Sequence, residues 1–124
     1  MRSNHEDMNL FNVLIGGVLK LQSERCVGAG AVIACNLTVP VSKLESTGAD
    51  VLTLANGAEG QIKIFIHTVD GGSIIITPTN FAGASSATVT MVTAGDACAF
   101  MFTDGSWWLI WASPNIEATP LVIA

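Results

Sequence analysis

From Val51 to Ala112 the chain is a succession of short segments rich in β-branched and aromatic residues, each closed by a glycine-bearing turn. The segments are Val51–Leu54, Gln61–Thr68, Ser73–Thr77, Ala87–Thr93, Ala97–Thr103 and Ser106–Ala112. Between them stand Asn56-Gly57, Asp70-Gly71-Gly72, Ala82-Gly83-Ala84-Ser85, Ala94-Gly95-Asp96 and Asp104-Gly105, all chemically suited to positive φ or a tight reversal. Strands at short, even intervals predict an all-β fold, an antiparallel β-sandwich or a jelly-roll-like barrel. The clearest hairpin is Thr103-Asp104-Gly105-Ser106.

Outside this stretch the pattern is looser. Ala29–Val41 reads as a first strand centred on Val32, Ile33 and Cys35, with Pro40 marking an edge or an end. Ser42–Asp50 is polar and turn-like. The expected layout is a docking arm over residues 1–24, a β-domain over 25–113 and a docking tail over 114–124. In the arm, Leu10, Phe11, Val13 and Leu14 cluster at helix-like spacing that Gly16-Gly17 interrupts, and in the tail Leu121, Val122 and Ile123 follow Pro120. Apolar ends of this kind are expected to lie against another surface.

Alternation predicts which strand faces are covered. In Gln61–Thr68 the isoleucines Ile62, Ile64 and Ile66 share one side and are expected inside, leaving Gln61, Lys63, Phe65 and His67 outside. Val89 and Met91 oppose Thr88 and Thr90 in the same way. The last segment has no polar side: Trp108 and Ile110 take one face, and Trp107, Leu109 and Trp111 the other. A strand greasy on both sides is expected to bury one face in its own domain and the other, through Trp107 and Trp111, against a neighbouring subunit.

Charge and chemistry narrow the function classes. Charged residues make up 12% of the 124, against roughly 25% in an average soluble domain, so the surface is short of the groups that normally solvate it. The five basic residues are scattered and the net charge is −5, which disfavours a phosphate-backbone binder. No apolar run approaches the ~20 residues that cross a bilayer. Glu6 and Asp7 ahead of the N-terminal apolar stretch, with Lys20 behind it, do not suit a secretory signal. Three cysteines, Cys26, Cys35 and Cys98, without C-x-x-C spacing and with only His5 and His67 beside them, predict neither a disulfide framework nor a metal cluster. Cys98, alternating with Phe100 and Phe102, reads as a small buried hydrophobe. Asp50, Asp70, Asp96 and Asp104 occupy turns, Ser85-Ser86 has no His and Asp arrangement around it, and no phosphate loop opens a helix. No enzymatic site and no cofactor are expected. Asn36-Leu37-Thr38 matches a glycosylation sequon, to which no role is assigned in a chain without an export signal.

Five short motifs occur in order: Gly60-Gln61, Gly71-Gly72-Ser73-Ile74, Pro78-Thr79-Asn80, Gly95-Asp96 and Asp104-Gly105-Ser106-Trp107, with Thr88-Val89-Thr90 among them. Over residues 50–112 this order resembles tailed-phage virion proteins, among them capsid cement (decoration) proteins and pieces of tail fibres. The resemblance implies a homotrimeric β-rich module on the outside of a particle. A short free-standing chain with docking ends favours the head: a cement protein on the outer capsid surface, made in the host cytoplasm, whose partners are its own copies and the major capsid protein, with no nucleic acid or membrane. The alternative is a tail-fibre or receptor-binding module whose tryptophans stack on glycan. Trp108 and Trp111 are additions to the family pattern.

Overall fold

The computed structural model describes residues 20–82 and 88–119; the predicted docking residues Leu10, Phe11, Val13, Leu14, Leu121, Val122 and Ile123 lie outside them. Nine strands are described: β1 Ser23–Val27, β2 Val41–Glu45, β3 Asp50–Leu54, β4 Gln61–Val69, β5 Ile74–Pro78, β6 Thr88–Met91, β7 Ala97–Thr103, β8 Ser106–Ala112 and β9 Glu117–Thr119. The described chain is all-β, as expected. The strands form a five-stranded sheet in the order β1-β2-β4-β7-β8 and a four-stranded sheet in the order β3-β5-β6-β9. Buried side chains of both sheets join one apolar core, consistent with a sandwich.

The strand pairing departs from the antiparallel expectation, because both sheets are mixed. β1 pairs β2, β2 pairs β4 and β3 pairs β5, all in parallel. Val32 also bridges Val51 in parallel, ahead of β3. The first half of the chain therefore winds from sheet to sheet, each turn leaving one strand or bridge in each, which is the pairing pattern of a parallel β-helix. The second half closes this winding with antiparallel pairs, β4 to β7, β7 to β8, β5 to β6 and β6 to β9.

A winding chain needs arches that stack, and glycine supplies them. The arch from β2 to β3 lies against the arch from β4 to β5: a Cβ on Gly71 would stand 2.2 Å from the Ser46 carbonyl oxygen. A Cβ on Gly28, one turn earlier, would stand 2.1 Å from a carboxylate oxygen of Asp50. Gly71→Ala is expected to destabilise the fold by about 1–3 kcal/mol through overpacking of the arches, seen as a lowered urea midpoint with unchanged slope. The Asp104-Gly105 turn is the predicted hairpin, with φ of 56° and 77°, the two positive values of a type I′ turn.

Three local expectations are corrected. Ala29–Val41 is not one strand: Gly30 and Ala31, at φ of 66° and 71°, reverse the chain between Ala29 and Val32. The turn-like Ser42–Asp50 contains most of β2, which the flanking parallel strands hold despite its polar residues. β1 and β9 arise in segments read as arm boundary and tail, and both are ordered by pairing with a neighbour rather than by their own composition.

Candidate functional site

The burial of β4 is the reverse of that read from its alternation. Lys63, Phe65 and His67 point inward and are fully buried, whereas Ile62 is 40% exposed and Ile64 and Ile66 are half-buried on the outer face. A one-residue choice of face moves every side chain of a strand, and here polar partners inside decide it. The Lys63 ammonium donates to the carbonyls of Asn36 at 2.9 Å and Val39 at 2.6 Å and to Ser42 Oγ at 2.7 Å. His67 Nε2 meets Ser46 Oγ at 3.0 Å. With the Lys63 ammonium and His67 Nε2 partnered inside, the isoleucines are left outside.

The strand register extends that outer face across the sheet. Val41, Ile64, Ala99 and Trp111 form one row, and Ile62, Met101 and Trp108 form the next. Trp111 joins this face because the β7–β8 register shifts between Ala99 and Phe100: Leu109 opposes Phe100, Trp111 opposes Ala99, and Ile110 is the extra residue of a bulge. Trp108, Ile110 and Trp111 are 46%, 52% and 56% exposed. Arg25, Lys43 and Glu45 lie toward the β1 edge, with Arg25 and Glu45 paired, so the face grades from charged at β1 to apolar at β8.

The bulge also corrects the grouping of Trp107 with Trp111. Trp107 is fully buried in the chain's own core, edge-on to Phe102 and Phe100 at centroid distances of 5.2 and 6.4 Å. Its Nε1–H donates to the Ala55 carbonyl at 2.8 Å. Its burial is supplied within the chain, and no subunit contact is needed. The sequence offered no sign of the bulge: Trp-Trp-Leu-Ile-Trp alternates smoothly in either register.

A second constellation lies at the β1 edge of the core. Glu24 and Cys26 on β1 and Cys35 in the following loop bring two sulfurs and a carboxylate oxygen within 4.8 Å of one another. One oxygen of Glu24, Oε2, accepts from Ser42 Oγ at 2.6 Å and from the Asn36 amide at 2.9 Å, and stands 3.5 Å from the Lys63 ammonium. Burial opposes the charge on Glu24, but these donors outweigh it and hold the carboxyl below its ordinary range. Burial pushes both thiols up, and at Cys26 the neighbouring Cys35 and Glu24 add to it. A cavity of about 270 Å³, lined by Cys35, Leu37, Leu52, Leu54, Lys63 and Phe65, opens beside them. The sequon residue Asn36 turns its Oδ1 to the Thr38 amide and hydroxyl, a local turn bond. Cys98 is the buried hydrophobe expected, its thiol pushed up to about 12 by burial with the Asp96 carboxylate adding to it.

Removing Lys63 strands several buried acceptors together with Glu24. Lys63→Ala is expected to cost about 3–5 kcal/mol, the scale of breaking a buried charge pair, in urea unfolding. Lys43→Ala, on the exposed side of β2, stays within about 0.5 kcal/mol of wild type.

Ser46 and His67 are a serine–histidine pair that sequence reasoning missed, being 21 residues apart. Ser46 Oγ also donates toward the Gly72 carbonyl at 2.8 Å and accepts from the Gly71 amide at 2.8 Å. Both side chains are buried, and His67 Nδ1 has no partner among the described residues, so no third group orients the ring. The pair ties stacked arches together.

Glu59 braces the β7–β8 hairpin, accepting from the Thr103 hydroxyl and, at 3.0 Å, from the Asp104 amide. These bonds hold its carboxyl below the ordinary glutamate range. A depressed folded-state pKa gives a contribution present above the unfolded pKa, about 4.3, and lost as pH falls through the folded one. The Asp104 amide resonance is expected to report this loss at a midpoint below the ordinary glutamate value, and Glu59→Gln removes that step.

No protein-family model matches this chain, and no curated protein is similar enough to it to count as a relative. Among the described residues no helix is long and apolar enough to cross a membrane.

Proposed function

We propose that this chain is a structural assembly module, and specifically a homotrimeric cement protein of a bacteriophage capsid, bound to the major capsid protein and stabilising the head. The observation that carries the assembly reading is the outward apolar face of the five-stranded sheet, where Ile62, Trp108, Ile110 and Trp111 stand exposed together. Contiguous exposed apolar surface of this sort is what subunit contacts cover. The face is nearly uncharged toward β8, so copies of the same chain meet there without like-charge repulsion. Among the described residues β8 is also the last strand of its sheet, bridged on its outer edge by Phe81 at Trp107. The capsid part of the reading rests on the resemblance over residues 50–112 and on the short apolar segments at both ends of the chain.

Burial at such sites works mechanically. A standard interface removes about 1,600 Å² from water, and three linked copies raise the effective concentration of each further contact. The test is imaging of phage particles carrying and lacking this chain. Trimeric density at points where capsid subunits meet, lost with the chain and accompanied by heads that rupture more readily, is the expected result; density on the tail or none on the head overturns the capsid reading.

One observation favours a second reading, a receptor-binding module. Trp108 and Trp111 lie on the same face and are both half-exposed, an aromatic pair on which sugar rings can stack. That reading expects Trp111→Ala to abolish glycan binding on an array while the oligomer persists.

A further inference from the structure

We infer that Glu24, Cys26 and Cys35 form a binding site for a thiophilic divalent cation of the zinc class. The three donor atoms already lie within 4.8 Å of one another, although Cys35 is nine residues beyond Cys26 and no spacing motif announces the set. Around a tetrahedral ion with bonds of about 2.0–2.3 Å, donors stand about 3.3–3.8 Å apart. Side-chain rotation of about 1–1.5 Å closes the set.

Charge points to a dication. With both thiols protonated, the Glu24 carboxylate is balanced by Lys63, wholly buried and 3.5 Å away. A divalent ion that displaces the two thiol protons sums to zero with two thiolates, the carboxylate and Lys63, so the cluster stays neutral on loading. Sulfur donors select zinc-like ions over magnesium or calcium, which demand oxygen.

The surroundings are those of a built site. Glu24 Oε2 accepts from the Ser42 hydroxyl and the Asn36 amide, which fixes the carboxylate beside the two sulfurs. Supporting bonds of this type orient metal ligands. Lys63 has its three donors committed to Asn36, Val39 and Ser42, so it acts as a fixed counter-charge. The neighbouring cavity reaches Cys35 and leaves room on that side for a water as fourth ligand. None of this depends on the assembly reading.

The test uses the full-length chain, shown by thiol titration to be fully reduced, with zinc and cobalt(II) as probes. After one equivalent of zinc and dialysis, native mass spectrometry is expected to find one ion per chain, and cobalt(II) is expected to give an intense thiolate charge-transfer band in the near ultraviolet. Cys26→Ser and Cys35→Ser lose both signals, Cys98→Ser keeps both, and Glu24→Gln, which removes a ligand charge, weakens zinc binding by at least the ~10–100-fold that losing a mere supporting group costs. If the cysteine variants fail to fold, the wild-type cobalt spectrum and the Cys98→Ser control still decide. A reduced wild-type chain that retains no zinc and gives no band overturns the site, as does equal loss of the signals in Cys98→Ser.

Discussion

Trp107→Ala is expected to destabilise the fold by about 3–5 kcal/mol, the range for deleting a large aromatic from a packed core. The indole is wedged between Phe100 and Phe102 on β7 and the Gly57 turn, where a Cβ on Gly57 would stand 2.8 Å from the ring. No nearby side chain can collapse into that space without leaving its own partners. The variant also strands the Ala55 carbonyl, which loses its 2.8 Å bond to the indole N–H. Trp107→Phe separates the two effects: most ring contacts survive, and about 1–3 kcal/mol is lost through the unpaired carbonyl. Chemical denaturation measures both. Near-neutral behaviour of Trp107→Ala would mean the indole is not the core residue described.

The double substitution Trp108→Ser with Trp111→Ser is expected to do the opposite, leaving stability nearly unchanged and dissociating the assembly. Each indole exposes about half its surface, and covering that half at a subunit contact is worth about 2–3 kcal/mol. Losing both raises the dissociation constant by about three to four decades. The urea midpoint at a concentration where wild type is dissociated should match wild type, because neither ring fills the core. The pair of experiments thus distinguishes the two sides of β8: one face packs the chain's own core, and the other is the face proposed to join chains to one another.

Much of this architecture was legible from residues alone, and the failures have physical causes. Strand positions from Val51 onward, the Asp104-Gly105 hairpin, the buried Val89 and Met91, and the Cys98–Phe100–Phe102 side of β7 all follow from alternation and turn chemistry. The parallel winding does not, because Asp70-Gly71-Gly72 is equally good at turning a hairpin and at arching from one sheet to the other. Polarity alone also chose the wrong face of β4. Lys63 and His67 are buried because Asn36, Val39, Ser42 and Ser46, all distant in sequence, meet their donors, and those partners appear only when turns stack. The same stacking brings Glu24 and Cys26 to Cys35, a cluster that counting cysteines and histidines does not reveal. The reversal of β4 strengthens the case for assembly, since it places three isoleucines on the outer face beside Trp108 and Trp111.

Sedimentation equilibrium of the full-length wild-type chain over a wide concentration range tests the assembly claim most directly. The account predicts a mass three times the 12.9 kDa of one chain, falling toward a single chain in the Trp108→Ser, Trp111→Ser variant. A wild-type mass of one chain at every concentration, with both indoles open to aqueous fluorescence quenchers, would contradict it.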